Sequence, residues 1–191
     1  MRNHRWFTCL ALLLSARSVH AQGMDVPASI QIPLLYKILT FDRNFAAREG
    51  DELVIGILYQ EGFRSSVVAR QEVEDAMRSA GTVGSRKVRS VAIEQGATPD
   101  IAAALRQEGI TVLYVTPLRG VSLTPILRAA RAARVMTFTG VPPYVERGVA
   151  VGIGLEQARA MILDNLTAAK AEGSDYNAQL LRVAKVVEGD R

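Results

Sequence analysis

Leu53-Val54-Ile55-Gly56-Ile57-Leu58-Tyr59 carries no charge and three β-branched side chains. A run this short and this uniformly apolar suits a strand buried on both faces, as inside a parallel sheet; a half-exposed strand would alternate polar and apolar residues. Upstream, Ile30, Leu34, Leu35, Ile38, Leu39 and Phe45 recur at helical spacing, with Pro33 expected in the first turn, and Gly50-Asp51 turns the chain into the strand. Downstream, Phe63, Val67, Ala69, Val73, Ala76, Met77 and Ala80 mark an amphipathic helix that ends at Gly81.

The same alternation of elements continues along the chain. Val88 to Glu94 reads as a second strand. Thr98-Pro99-Asp100 supplies an N-cap, a first-turn proline and an acid for a helix closing at Gly109. Ile110 to Val115 is a third strand, Ser122 or Thr124 caps a helix carrying Ile126, Leu127, Ala130 and Ala133, and Val135 to Thr139 is a fourth strand. From Val149 to Glu156 the apolar period becomes two, and Arg159 to Leu163 is the expected hairpin partner across Gln157-Ala158. Two helices should follow, Asn165 to Ala171 and Tyr176 to Val187, the second capped by Ser174 or Asp175. The expected fold is α/β in three layers: a mainly parallel central sheet, an N-terminal helix, a C-terminal β-hairpin and two closing helices.

Residues 1–21 read as a secretory signal. Arg2 and Arg5 precede the short apolar run Phe7 to Leu14, and Val19-His20-Ala21 offers small residues at the cleavage positions, so the mature chain is expected to be 22–191, a single domain in the periplasm. The run is too short to span a bilayer, and no later stretch is long and apolar enough for membrane insertion. The formal charge of +4 shrinks with cleavage, because Arg2, Arg5 and Arg17 are lost and all 19 acidic residues remain. The near-neutral body that is left has no footprint for nucleic acid. Every His, Cys and Trp (His4, His20, Cys9, Trp6) also lies in the signal. Disulfides, thiol nucleophiles, Cys/His zinc sites and Ser-His-Asp hydrolysis are thereby excluded; carboxylate chemistry and oxygen-ligand metal sites survive, but no cofactor, metal or catalytic set is assigned.

Other patterns have ordinary explanations. Gly152-Ile153-Gly154 lacks the third glycine of a dinucleotide fingerprint, since position 157 is Gln, and reads as close backbone approach in a hairpin. Glu72, Glu74 and Asp75, like Arg128, Arg131 and Arg134, read as solvated helix faces, and Asn165-Leu166-Thr167 as a helix N-cap. Topology singles out the strand ends. Ligands of open parallel sheets bind beyond the carboxyl ends of the strands, where strand order reverses. Gln60, Glu61, Arg64, Ser65 and Ser66 follow the first strand, and Thr116 and Arg119 follow the third. If these strands are neighbours, the two arginines should approach one another at the start of the Phe63 helix, which suits an anion.

Lys37-Ile38-Leu39-Thr40-Phe41 and Leu53 to Leu58 are similar to the opening of the YfiR/HmsC-like periplasmic proteins. Thr137-Phe138-Thr139-Gly140-Val141-Pro142, Glu146-Arg147-Gly148, Asp164 to Lys170 and Gln179 to Ala184 resemble that family's sheet end, glycine turn and closing helices. The resemblance implies a regulator without catalysis of its own. It would bind and repress the periplasmic part of an inner-membrane diguanylate cyclase, with cyclic-di-GMP signalling and biofilm formation downstream, and it leaves room for a homodimer. Thiol-based control known in the family has no counterpart here, because the mature chain has no cysteine. Pro142, Pro143 and Tyr144 are the expected partner contact, two prolines limiting the entropy lost on docking and the tyrosine offering an amphipathic anchor. The other function considered is a periplasmic small-ligand protein serving a transporter or sensor.

Overall fold

A computed structural model describes residues 23–47, 51–98 and 100–188. The expected signal peptide, its cleavage site, Gly50 and Pro99 lie outside the described residues. The elements are α1 (Ala28–Thr40), α2 (Arg43–Ala47), β1 (Glu52–Tyr59), α3 (Arg64–Ala80), β2 (Lys87–Glu94), α4 (Ile101–Gln107), β3 (Val112–Val115), α5 (Leu123–Ala133), β4 (Met136–Thr139), α6 (Pro143–Glu146), β5 (Val151–Glu156), β6 (Arg159–Asp164), α7 (Leu166–Ala171), α8 (Ala178–Val183) and β7 (Lys185–Val186).

One seven-stranded sheet runs in the order β2-β1-β3-β4-β5-β6-β7. All pairings are parallel except β5–β6, the hairpin, whose turn residues Gln157 and Ala158 both take positive φ. β1 is buried from Leu53 through Leu58, which explains its uninterrupted apolar run. Its odd residues, Leu53, Ile55 and Ile57, pack with α1 and α3, while Val54 and Leu58 pack with α4 and α5 on the other face. The expected three-layer α/β architecture is the one observed.

Four local expectations are corrected. The first helix breaks after Thr40, because the buried Asp42 carboxylate accepts from Asn44 N (3.0 Å) and Asp175 N (2.9 Å) and so starts a new turn, α2. Pro33 sits in the interior of α1; it and Ser29, whose carbonyl loses its helical donor there, are both exposed to water. Asp100, not Thr98, caps α4, accepting from Ala103 N at 2.9 Å. The last helix is capped by Asn177 and ends at Val183; Ala184 turns extended (φ −89°, ψ 142°) and the chain pairs with β6 as β7.

Gly152 is required by close approach. A Cβ there would lie 2.5 Å from Val145 Cγ2 and 3.3 Å from the Thr139 carbonyl oxygen, so β5 could not lie against α6. Gly152→Val should therefore lower stability by about 1–3 kcal/mol through overpacking, read from a shifted urea midpoint at unchanged slope.

Candidate functional site

β1 and β3 are neighbours, and strand order reverses between them, since β2 lies outside β1 and β4 outside β3. The residues expected at their carboxyl ends come together there. Ser66, fully buried in the first turn of α3, accepts from Gln60 N at 2.8 Å and shares a 2.6 Å hydrogen bond with the Thr116 hydroxyl. Thr116 Oγ1 also donates to Leu58 O at 2.8 Å. The Gln60 side chain spans the crevice, accepting from Arg119 N (2.8 Å) and donating to Arg119 O (3.2 Å). Gln60, Ser66 and Thr116 thus clamp the two strand ends to each other.

The Arg119 guanidinium carbon lies 4.7 Å from the ring centroid of Phe63, the residue before Arg64 in the chain, so both arginines belong to the same sheet edge, although Arg119 does not border the cleft onto which Arg64 opens. Neither makes an ion pair among the described residues. Arg64 and Ser65 are exposed and open onto a cleft of about 290 Å³ shared with Val68, Glu72 and Pro117.

The expected partner loop is built differently. Pro143 to Glu146 form the short helix α6, and Tyr144 is 1% exposed. Its hydroxyl accepts from Leu118 N (2.8 Å) and donates to Leu118 O (3.2 Å). Tyr144 is therefore a buried tether between α6 and the loop after β3, and its choice as a docking anchor is corrected; Pro142 is half-buried and Pro143 exposed beside it. Asn165 is likewise a buried cap, accepting from Ala168 N and donating to Val145 O, both at 3.0 Å.

A wider and more apolar opening lies elsewhere among the described residues. Leu34 and Lys37 of α1, Phe41 just beyond its end, Ala160 and Ile162 of β6, and Val183 of α8 border a groove of about 890 Å³. Register places Ile162 opposite Ile153 and Ala160 opposite Leu155. Ile153 packs with α1, so Leu155, 49% exposed, extends the same face beyond the cover of the helix. Val183 is 63% exposed on the opposite wall. The sequence does not single out this groove. Its residues read as ordinary core positions, and the only signal was that the hairpin's apolar alternation runs on to Leu155, one residue before the strand ends.

Three buried carboxyls, Asp42, Asp164 and Glu172, act on the buried Tyr176 phenol. Asp42 is held by the two backbone amides described above. Glu172, fully buried at the end of α7, accepts from Thr137 N (2.7 Å) and Thr137 Oγ1 (2.8 Å). Asp164 of β6 is 1% exposed, and neither of its oxygens has a hydrogen-bond partner among the described residues. Burial pushes Asp164 up to about 6. It pushes Glu172 up to about 8, against the opposing pull of the Thr137 donors and the Arg131 charge. The Tyr176 phenol is raised well above its ordinary value, first by burial and then by the neighbouring acids.

An open, mostly parallel sheet between two helical layers, clamped at its switch point and bordered by an apolar groove, makes this an α/β domain, and no described helix is long and apolar enough to cross a membrane. Residues 28–185 match the YfiR/HmsC-like family, and the chain belongs to it. That is a family of periplasmic regulatory proteins. No curated protein sequence matches the chain.

Solved structures resemble the fold at low identity. A conserved domain protein from Vibrio cholerae matches at TM-score 0.59 and 18% identity, over 85% of this chain and 60% of that one. The ABC domain from Streptococcus pneumonia in complex with L-Trp matches at 0.58 and 14%, over 84% and 60%. A ligand-free, open substrate-binding protein with adhesive properties from Clostridium difficile matches at 0.57 and 16%, over 86% and 61%. The chain thus spans about three fifths of the length of each of these structures.

Proposed function

We propose that this protein, exported and acting through residues 22–191 as one unit, is a non-enzymatic periplasmic regulator that binds and represses the periplasmic part of a membrane diguanylate cyclase. The observation that carries the reading is the contrast between two openings. The strand-end crevice is occupied by its own polar groups, whereas the groove beside Ile162 and Val183 leaves apolar surface exposed on a rigid scaffold. Apolar surface gathered in one concavity on a folded domain marks a docking site. Family membership supplies the regulatory role, and the cyclase is the partner that the resemblance implies.

The expected cellular result is that deleting the gene raises cyclic-di-GMP and biofilm mass. The wild-type gene should restore both, and a Val183→Glu gene should restore neither while its product accumulates normally. Unchanged cyclic-di-GMP on deletion would remove the cyclase reading.

A second reading, a solute-binding protein, is favoured by the fold likeness to a substrate-binding protein and to a domain solved with L-Trp. Arg64 and Ser65 would then bind the solute, with Gln60, Ser66, Thr116 and Arg119 shaping the crevice. A thermal-shift panel of amino acids, L-Trp included, tests it: a shift that Arg64→Ala abolishes supports the solute reading.

A further inference from the structure

We infer that the groove between α1, the β5–β6 tip and α8 takes an apolar partner segment that carries carboxylates. This rests on the docking reading above and adds the chemistry of the docked segment. The apolar part is set by the floor, where Ile162 and Ala160 share a face with the exposed Leu155, and by the exposed Val183 wall. The charged part is set by the rim.

Lys37 and Arg159 border the groove, and neither forms an ion pair among the described residues. The single acid among the groove's lining residues, Glu156, is already held by Lys185 at 3.1 Å. Lys37 stands over the Phe41 ring, 5.3 Å from its centroid, which keeps the ammonium at the groove mouth. A cation in the last turn of α1 also suits the helix dipole, but Arg159 at the hairpin tip has no such reason. The groove therefore presents an apolar floor under an uncompensated positive rim. Carboxylates flanking apolar anchors would reach both cations where the docked segment excludes water and weakens screening.

Two other occupants fit less well. A second copy docking by the same groove would set two positive rims together, a like-charge arrangement. A bilayer is flat where this surface is concave, and two cations fall short of the polybasic clusters that hold proteins to anionic lipid.

The test uses two labelled peptides with the same leucine spacing, one carrying glutamates and one lysines at the remaining positions, followed by fluorescence anisotropy on the full mature protein. The glutamate peptide is expected to bind at least tenfold tighter, and the Lys37→Glu/Arg159→Glu double variant to lose that preference at an unchanged melting temperature. Equal binding, a preference for the lysine peptide, binding by neither, or an acidic preference that survives the double variant overturns the inference. The same variants against purified cyclase periplasmic domains separate it from the docking reading. If Val183→Glu weakens that complex and the double variant does not, docking stands and the acidic segment falls; if neither weakens it, both fall. Co-sedimentation with phosphatidylserine vesicles, lost in the double variant, would replace the protein segment with a membrane.

Discussion

Asp164→Asn should raise the unfolding free energy at pH 7.5 by about 1–3 kcal/mol and leave it nearly unchanged at pH 4. Asp164 is 1% exposed and its carboxylate has no hydrogen-bond partner among the described residues, so the folded state keeps its proton up to about pH 6, whereas the unfolded chain releases it near 4. Folding therefore takes up a proton in that window. The contribution to stability is complete below pH 4 and is lost as pH rises through 6. Glu172 acts in the same direction over a wider window, because its folded value is about 8. The wild-type protein should thus lose stability steadily between pH 4 and pH 8, an uncommon slope for a protein rich in surface carboxylates. Urea titrations at pH 4, 6 and 7.5 read it directly. A wild-type stability that rises over this interval, or an Asn variant less stable at pH 7.5, would show that Asp164 has a donor in solution.

Tyr144→Ala should cost about 3–5 kcal/mol, the usual range for removing a large, fully buried aromatic side chain. The ring is 1% exposed and seals α6 against the sheet. Tyr144→Phe separates packing from tethering. It keeps the ring but leaves Leu118 N, which donates to the hydroxyl at 2.8 Å, without its acceptor, at about 1–3 kcal/mol. Amide exchange at Leu118 and Arg119 should accelerate in the Phe variant while the strands stay protected. Equal stability of the Phe variant and wild type would show that the loop after β3 is held by the Gln60 bridge alone.

What the sequence made legible follows from where each element gets its stability. β1 and β3 are buried on both faces, and that burial leaves an apolar run no other element of that length would carry. The hairpin turn at Gln157-Ala158 and the Ser122 cap are local chemistry, so they were readable as well. The break after Thr40 was not, because it depends on Asp42 meeting Asp175, 133 residues away. β7 is two residues long and exists only through its pairing with β6. At the strand ends, sequence placed Gln60, Ser66, Thr116 and Arg119 in one region but could not tell a ligand cradle from a set of mutual hydrogen bonds. For Tyr144, the deciding partner was Leu118, 26 residues away. The groove was invisible for a different reason: Ile162 and Leu155 alternate as core residues do, and nothing in that period states where the cover of α1 and α8 stops.

Docking of a membrane cyclase through this groove is measured by titrating the mature wild-type protein and its Val183→Glu variant into purified periplasmic domains of the host's membrane diguanylate cyclases, by calorimetry. One domain is expected to bind wild type with a micromolar or lower Kd, and Val183→Glu, altered at a side chain already 63% exposed, is expected to weaken binding at least tenfold without changing the melting temperature. Binding to none of these domains, or equal binding by the variant, would contradict it.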